Sequence, residues 1–219
     1  MPTLDALAAW LQSRLQEPRP LWRPGPPDVR HLALALDPDD LPQSPRADAL
    51  FLHRAFRLGD RYAPLGVLTA HDGFDAHLTT GQNHALAHAL QWRDLRPLDH
   101  QGRTYGLTAT PPQATWPALL AALTDELGGV EETRPPTRPA ARVALMNAMR
   151  PELLQAAHDH GANVYVTGQL RPGALARAHE LGVGIVALGH RRSEVWGLQQ
   201  LARELRAAFP DLRPHVHTG

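Results

Sequence analysis

Val183-Gly-Ile-Val-Ala-Leu-Gly-His190-Arg-Arg-Ser-Glu194 reads as a short apolar strand, a glycine break and the start of a helix. With Ser193 and Glu194 in the first helical turn, the four-residue spacing puts the His190 imidazole and the Glu194 carboxylate on one face. The carboxyl end of a buried strand is where an open α/β sheet holds its ligands. Upstream of this stretch the same alternation recurs. Residues 142–146 and 163–167 read as strands, residues 151–160 and 172–181 as helices, and a last helix runs to residue 209. A βαβαβα run requires a parallel sheet with right-handed crossovers. The fold class is therefore α/β.

Toward the N-terminus, Leu4, Leu7, Ala8, Leu11 and Leu15 repeat at helical spacing, and Pro18 stops that helix. Residues 19–28 hold four prolines and a glycine and read as an extended loop. Three apolar strands follow, at 31–37, 49–53 and 66–71, of which the last two end in His53 and His71. The turn-rich 38–45 leaves little room for a full crossover helix, and residues 81–90 read as a helix. Residues 94–112 read as a polar loop in which 104–108 could form an edge strand. Residues 116–127 form a helix with a leucine stripe closed by Gly128 and Gly129. Residues 133–139 form a stiff proline-rich linker between that helix and the βαβαβα run, and the tail 214–217 reads as frayed. The predicted organisation is two similar α/β halves, 1–110 and 111–219, with mostly parallel or mixed sheets.

Composition narrows the chemistry. The chain has 219 residues, a formal net charge of +0 and no cysteine. Disulfides, thiolate metal sites and cysteine nucleophiles are excluded. The sequence contains no lysine, which removes the phosphate-loop lysine and Schiff-base chemistry. Its serines, Ser13, Ser44 and Ser193, lie outside any Gly-x-Ser-x-Gly elbow. Balanced charge with no basic run gives no electrostatic footprint for nucleic acid. No apolar run approaches membrane-spanning length, and the N-terminus has no signal-peptide pattern. A cytoplasmic protein is expected.

Five residues carry metal-type chemistry: His53, His71, Asp75, His190 and Glu194. Asp75 follows His71 by four, as Glu194 follows His190. Nitrogen and carboxylate donors without thiolate suit Zn, Mn, Fe, Co or Ni. Each also has a plain structural reading: His53 capping a loop carbonyl, His71 and Asp75 forming a turn in which Asp75 bonds local backbone, Glu194 answering the helix dipole, His190 as a satisfied neutral imidazole.

In ordered segments the chain resembles the NGG-one-interacting factor three family, dinuclear-metal-centre hexamers also labelled GTP cyclohydrolase type II-like homologues. The segments are Ala47-Asp48 before the strand ending in His53, Ala70-His71-x-x-x-Asp75, Asn163-Val-Tyr-Val-Thr-Gly168 and Gly189-His190-Arg-Arg-Ser-Glu194. The resemblance implies two α/β halves packed around a metal cleft, one or two divalent ions, and a homohexamer. It makes His53, Asp75, His190 and Glu194 the ligands, Glu194 the bridge, and His71 a ligand or proton carrier. The chain departs from the family where two adjacent histidines are usual, having His53-Arg54. It also replaces an Asp-Asn-x-Gly-Leu segment with the proline-rich 19–28, and has Gln169 and no histidine after Gly168.

Arg54 either enters the cleft, opposing a nearby cation or forking an anion, or turns outward to solvent. The function expected is metal-dependent hydrolysis of a small anionic or nucleotide-like substrate. In it a metal-acidified water attacks, His71 moves the proton, and Arg54 or Arg191 binds the anion. The alternative is a non-catalytic metal-binding scaffold or regulatory hexamer with a degraded site. Neither a membrane nor nucleic acid is an expected partner.

Overall fold

Successive side chains of Val143–Met146 enter opposite sides of a sheet: Val143 and Leu145 join one buried cluster, Ala144 and Met146 another. That two-residue period is the signature of a strand covered on both faces. A computed structural model describes residues 1–219. In chain order the first elements are α1 (Leu4–Leu15), β1 (Leu21–Arg23), β2 (His31–Ala35), β3 (Ala49–Leu52), β4 (Gly66–Thr69), α2 (Asp72–Leu78), α3 (His84–Ala89), β5 (Arg93–His100) and β6 (Arg103–Thr110). Then come α4 (Trp116–Leu127), β7 (Glu132–Arg134), β8 (Val143–Met146), α5 (Pro151–Asp159), β9 (Val164–Thr167), α6 (Pro172–Leu181), β10 (Gly184–Ala187), α7 (His190–Ala208) and β11 (Arg213–Val216). The result is mixed α/β, with two sheets and seven helices. No helix is long and apolar enough to cross a membrane.

Two compact units share the chain, residues 1–74 with 197–219, and residues 75–196. The first holds a five-stranded sheet in the order β1-β4-β3-β2-β11. Its four strands from β4 to β11 are parallel, and β1 pairs antiparallel to β4. The short β2–β3 and β3–β4 connections carry only 3-10 turns, at Pro38–Asp40 and Ala55–Arg57. These turns and their flanks bring Leu41, Ala55 and Leu58 over Ala33, Ala35, Leu50, Leu52 and Val67. Helix α1 buries Leu4, Leu7, Leu11 and Leu15, and an Arg14–Glu204 ion pair at 2.6 Å ties it to α7.

The second unit holds a six-stranded sheet in the order β5-β6-β8-β9-β10-β7. The parallel centre β8-β9-β10 matches the alternation read from sequence. One face packs Leu119, Leu123 and Trp196 against Leu145, Val166 and Val186. The other packs Leu153, Leu154 and Ala174 against Met146, Tyr165 and Ile185. Truncating such leucines to Ala costs about 2–5 kcal/mol.

Several local expectations change. The tail is not frayed: β11 pairs in parallel with β2, Arg213 opposite His31 and His215 opposite Ala33. Pro214 fits there because β11 is an edge strand with one side unpaired. Residues 93–110 form the β5–β6 hairpin rather than a loop, and β6 lies inside the sheet. β5 is polar because it is an outer, mostly exposed strand. The linker begins as β7, antiparallel to β10. The helix expected over 81–90 starts only at His84, where the Asn83 side chain accepts from Leu86 N–H.

Candidate metal centre

The donors at the ends of β3 and β4 converge. His53 follows β3 directly, is 1% exposed, and places Nδ1 3.0 Å from the Ala70 carbonyl oxygen. A carbonyl only accepts, so Nδ1–H is the donor and Nε2 keeps the lone pair, the tautomer a metal-ligating histidine needs. His71 follows β4, and its ring lies nearly parallel to that of His53, 10° apart with centroids 4.6 Å apart. Its Nδ1 stands 3.2 Å from the Asp72 carboxylate. Phe74 closes the other approach to His53, ring centroid to ring centroid 4.8 Å. Glu17, beyond the end of α1, accepts from the backbone N–H of His71 and of Gly73, fixing the start of α2.

Asp75 stands on α2, one turn after His71. One donor atom each from His53, His71 and Asp75 lies within 4.8 Å of the others. Ligands held about 2.1 Å from one ion stand at most about 4.2 Å apart, so a small side-chain rotation suits the group to an ion. Three protein donors, two imidazoles and a carboxylate, also leave open positions as catalytic sites require.

Arg54 turns neither into solvent nor toward an open anion site. Its Nε donates to Asp37 Oδ1 and Oδ2 at 2.9 and 3.0 Å, and its Nη2 to Oδ2 at 2.6 Å. Arg57 Nη1 adds a bond to Oδ1 at 3.1 Å. The carboxylate thus neutralises the guanidinium beside His53 in a forked geometry that arginine favours.

In the second unit, His190 opens α7 and its Nε2 lies 3.1 Å from Glu194 Oε1. The pair is asymmetric: the His190 side chain is 59% exposed and that of Glu194 only 1%. Ser193 Oγ donates to the His190 carbonyl at 2.8 Å, and a Cβ at Gly168 would crowd that Oγ at 3.3 Å. Gly189 has φ +93°, a left-handed backbone that lets the strand turn abruptly into α7. Gly189→Ala is expected to cost about 1–2 kcal/mol and to lower the melting temperature by about 2–8 °C, read by thermal denaturation.

A cavity of about 270 Å³ within this unit is lined by Asp75, Asn147, Arg150, Thr167, Arg171 and His190, among others. Asn147 Oδ1 is buried without a hydrogen-bond partner, an acceptor open to a ligand's donor. The guanidinium groups at this cavity come from Arg150 and Arg171, whereas Arg191 lies exposed on α7. Tyr165 donates its hydroxyl proton to the Ala148 carbonyl and so supports the cavity wall. Burial foremost, and the Glu152 charge second, hold that phenol far above its usual pKa, keeping it a donor.

The sequence model of Duf34/NIF3 (NGG1p interacting factor 3) matches residues 63–218. The chain belongs to this family. A curated relative, the GTP cyclohydrolase 1 type 2 homolog of Deinococcus radiodurans, is 28% identical over 152 residues. That match covers 67% of this chain but 57% of the relative's length. Among solved structures, protein ybgI, of unknown function, superposes with a TM-score of 0.78 at 17% identity, covering 99% of this chain and 98% of that one. Reduced HcgD from Methanocaldococcus jannaschii gives 0.74 at 17% identity, covering 98% and 97%. At such identities the structures establish the fold.

Family membership leaves the supporting residues to be found in the structure itself. Asp37, Glu17, Asn147, Arg150 and Arg171 were not singled out from sequence. Asp37 ends an apolar strand as His53 does, which was a usable signal. For Glu17 no local signal exists, because its partners lie 54 and 56 residues away.

Proposed function

We propose that this chain binds a divalent ion through His53, His71 and Asp75 and acts as a metal-dependent hydrolase on a small anionic or nucleotide-like substrate. The observation that carries the reading is His53: buried, its Nδ1–H committed to Ala70, it offers Nε2 beside two further donors. A bound Zn, Mn, Fe, Co or Ni ion supplies Lewis acidity and acidifies water toward neutral pH. The residues of the chain do the rest. Asp75 completes the donor group. Within the second unit's cavity, Arg150 and Arg171 suit an anion, and Asn147 Oδ1 suits a ligand's donor. His71, half exposed and backed by Asp72, carries a proton between site and solvent. His190, which lines that cavity, and Glu194 form a second imidazole–carboxylate pair, further donors in this reading.

Elemental analysis of untagged protein, followed by assays on phosphoesters and nucleotides after metal loading, tests the proposal. The name of the Deinococcus relative makes nucleotides the first class to assay. A single ion per chain and metal-dependent turnover are expected. Trace metal with no uptake of Zn, Mn or Fe refutes the binding, and full occupancy without turnover refutes the hydrolase.

A second reading is a non-catalytic metal-binding scaffold in a homo-oligomer, a hexamer by the family resemblance. It is favoured by the Arg54–Asp37 fork, which occupies the position next to His53 with a neutralised cation instead of another imidazole. It expects His190→Ala and Glu194→Ala to alter oligomer size or melting temperature with no turnover to lose. Sedimentation and calorimetry of both variants decide, since unchanged assembly and stability exclude it.

A further inference from the structure

We propose that the first unit carries a second ligand site, a cationic pocket for a small, multiply charged oxyanion of the phosphate or diphosphate class. The pocket is open, about 920 Å³, and lies within residues of the first unit. His31 from β2, Arg46 from the β2–β3 connection, Arg203 and Arg206 from α7, and His215 and His217 at β11 line it, and no carboxylate does. In a chain whose formal charges cancel to +0, six basic or protonatable side chains around one cavity are a local concentration of charge. Such a cavity focuses anions.

The fold builds this arrangement. The parallel β2–β11 register sets Arg213 opposite His31 and His215 opposite Ala33, so His31 and His215 rise on the same side of the sheet. Their rings lie 11° from parallel with centroids 6.1 Å apart. Ala33 between them contributes only a methyl group, which leaves the floor open. Arg206 Nη2 donates to the Pro214 carbonyl at 2.9 Å, and Arg203 Nε to Gln200 Oε1 at 2.9 Å. Both guanidinium groups are thereby oriented before any ligand arrives.

Without an anion, His217 is poorly placed to carry a charge. Burial chiefly, and the neighbouring His215 next, lower the His217 pKa. A depressed histidine pKa means the folded chain loses stability as the pH falls through the ordinary imidazole range near 6.5. An oxyanion among His31, His215, His217, Arg46, Arg203 and Arg206 offsets that repulsion and should raise the His217 pKa. A metal is the wrong occupant: the donors that converge within metal-binding distance are His53, His71 and Asp75, not these histidines. The pocket also differs from a nucleic-acid surface, which needs basic groups spread along a groove.

Titration calorimetry of the metal-free 219-residue chain with inorganic pyrophosphate at low ionic strength tests the site, with inorganic phosphate as the weaker comparison. Saturable binding that depends on the arginines of this pocket is expected. Arg46→Gln with Arg203→Gln should weaken it about tenfold or more, while Asp75→Asn leaves it unchanged. The His217 imidazole resonances should titrate at higher pH with pyrophosphate bound. If the double variant melts at a lower temperature than the parent, Arg46→Gln alone, on an exposed connection, decides. Absence of saturation, binding indifferent to the arginine changes, or binding lost in Asp75→Asn instead would each overturn the proposal. So would tight binding of single-stranded oligonucleotides that pyrophosphate does not displace.

Discussion

Asp75→Asn is expected to lower the affinity of the chain for Zn²⁺ or Mn²⁺ by more than about 100-fold, because even outer partners of metal ligands are worth about 10–100-fold. The substitution keeps the shape of the side chain and removes its charge, so the fold of the metal-free protein should be undisturbed. His53→Ala should lose affinity at least as far, with a stability cost of its own, since it empties a buried position and strands the Ala70 carbonyl. Competition against a chelating dye measures both affinities. Thermal denaturation supplies a second reading. An ion present at about 100 times its dissociation constant stabilises the native state by about 2.7 kcal/mol, or about 5–10 °C in melting temperature for a chain of this size. That increment should vanish in Asp75→Asn. Equal affinity in parent and variant would remove Asp75 from the metal site.

The second large effect concerns the Arg54–Asp37 fork. Both side chains are mostly buried, 14% and 13% exposed, so removing the carboxylate leaves a guanidinium without its counter-charge in a poorly solvated place. Asp37→Ala is expected to cost about 3 kcal/mol and to lower the melting temperature by about 6–12 °C. Arg57, 57% exposed, contributes little to that loss because solvent screens it. Replacing both partners with apolar residues, Asp37→Leu with Arg54→Met, should recover most of the stability, because the desolvation cost of the pair disappears with it. Metal affinity provides an independent check. In Asp37→Ala the unneutralised guanidinium next to His53 should weaken ion binding, and adding Arg54→Met should restore it. A variant that melts normally and binds metal normally would show the fork to be incidental.

The parts of the fold legible in sequence are those with local, repeated patterning. Val143–Met146, Val164–Thr167 and Gly184–Ala187 are short apolar runs between helical patterns, and they form the parallel centre of the second sheet. The edges were harder. β5 is mostly exposed and β11 half exposed, and each contains a proline, Pro97 and Pro214, so their sequences resemble loops. Only pairing with a distant strand makes them strands. The same division holds for the candidate site. His71 and Asp75 announce themselves by spacing, and His53 by its place at the end of an apolar run. The Asp37–Arg54 fork spans 17 positions and the Glu17 bonds more than 50. The cationic pocket gathers side chains from residues 31 to 217, so a search for basic runs finds nothing where the folded chain concentrates charge.

The pairing of β11 with β2 also bears on how the protein emerges during synthesis. Residues 75–196 form one uninterrupted unit that can collapse as soon as it leaves the ribosome. The first sheet, by contrast, keeps the outer side of β2 unpaired until residues 213–216 arrive, some 180 positions later. Until then the nascent chain displays Leu32, Leu34 and their neighbours along an open, apolar strand edge, the kind of surface that recruits other strands. Holding that edge soluble is a natural task for chaperones that meet the chain before its last segment is made.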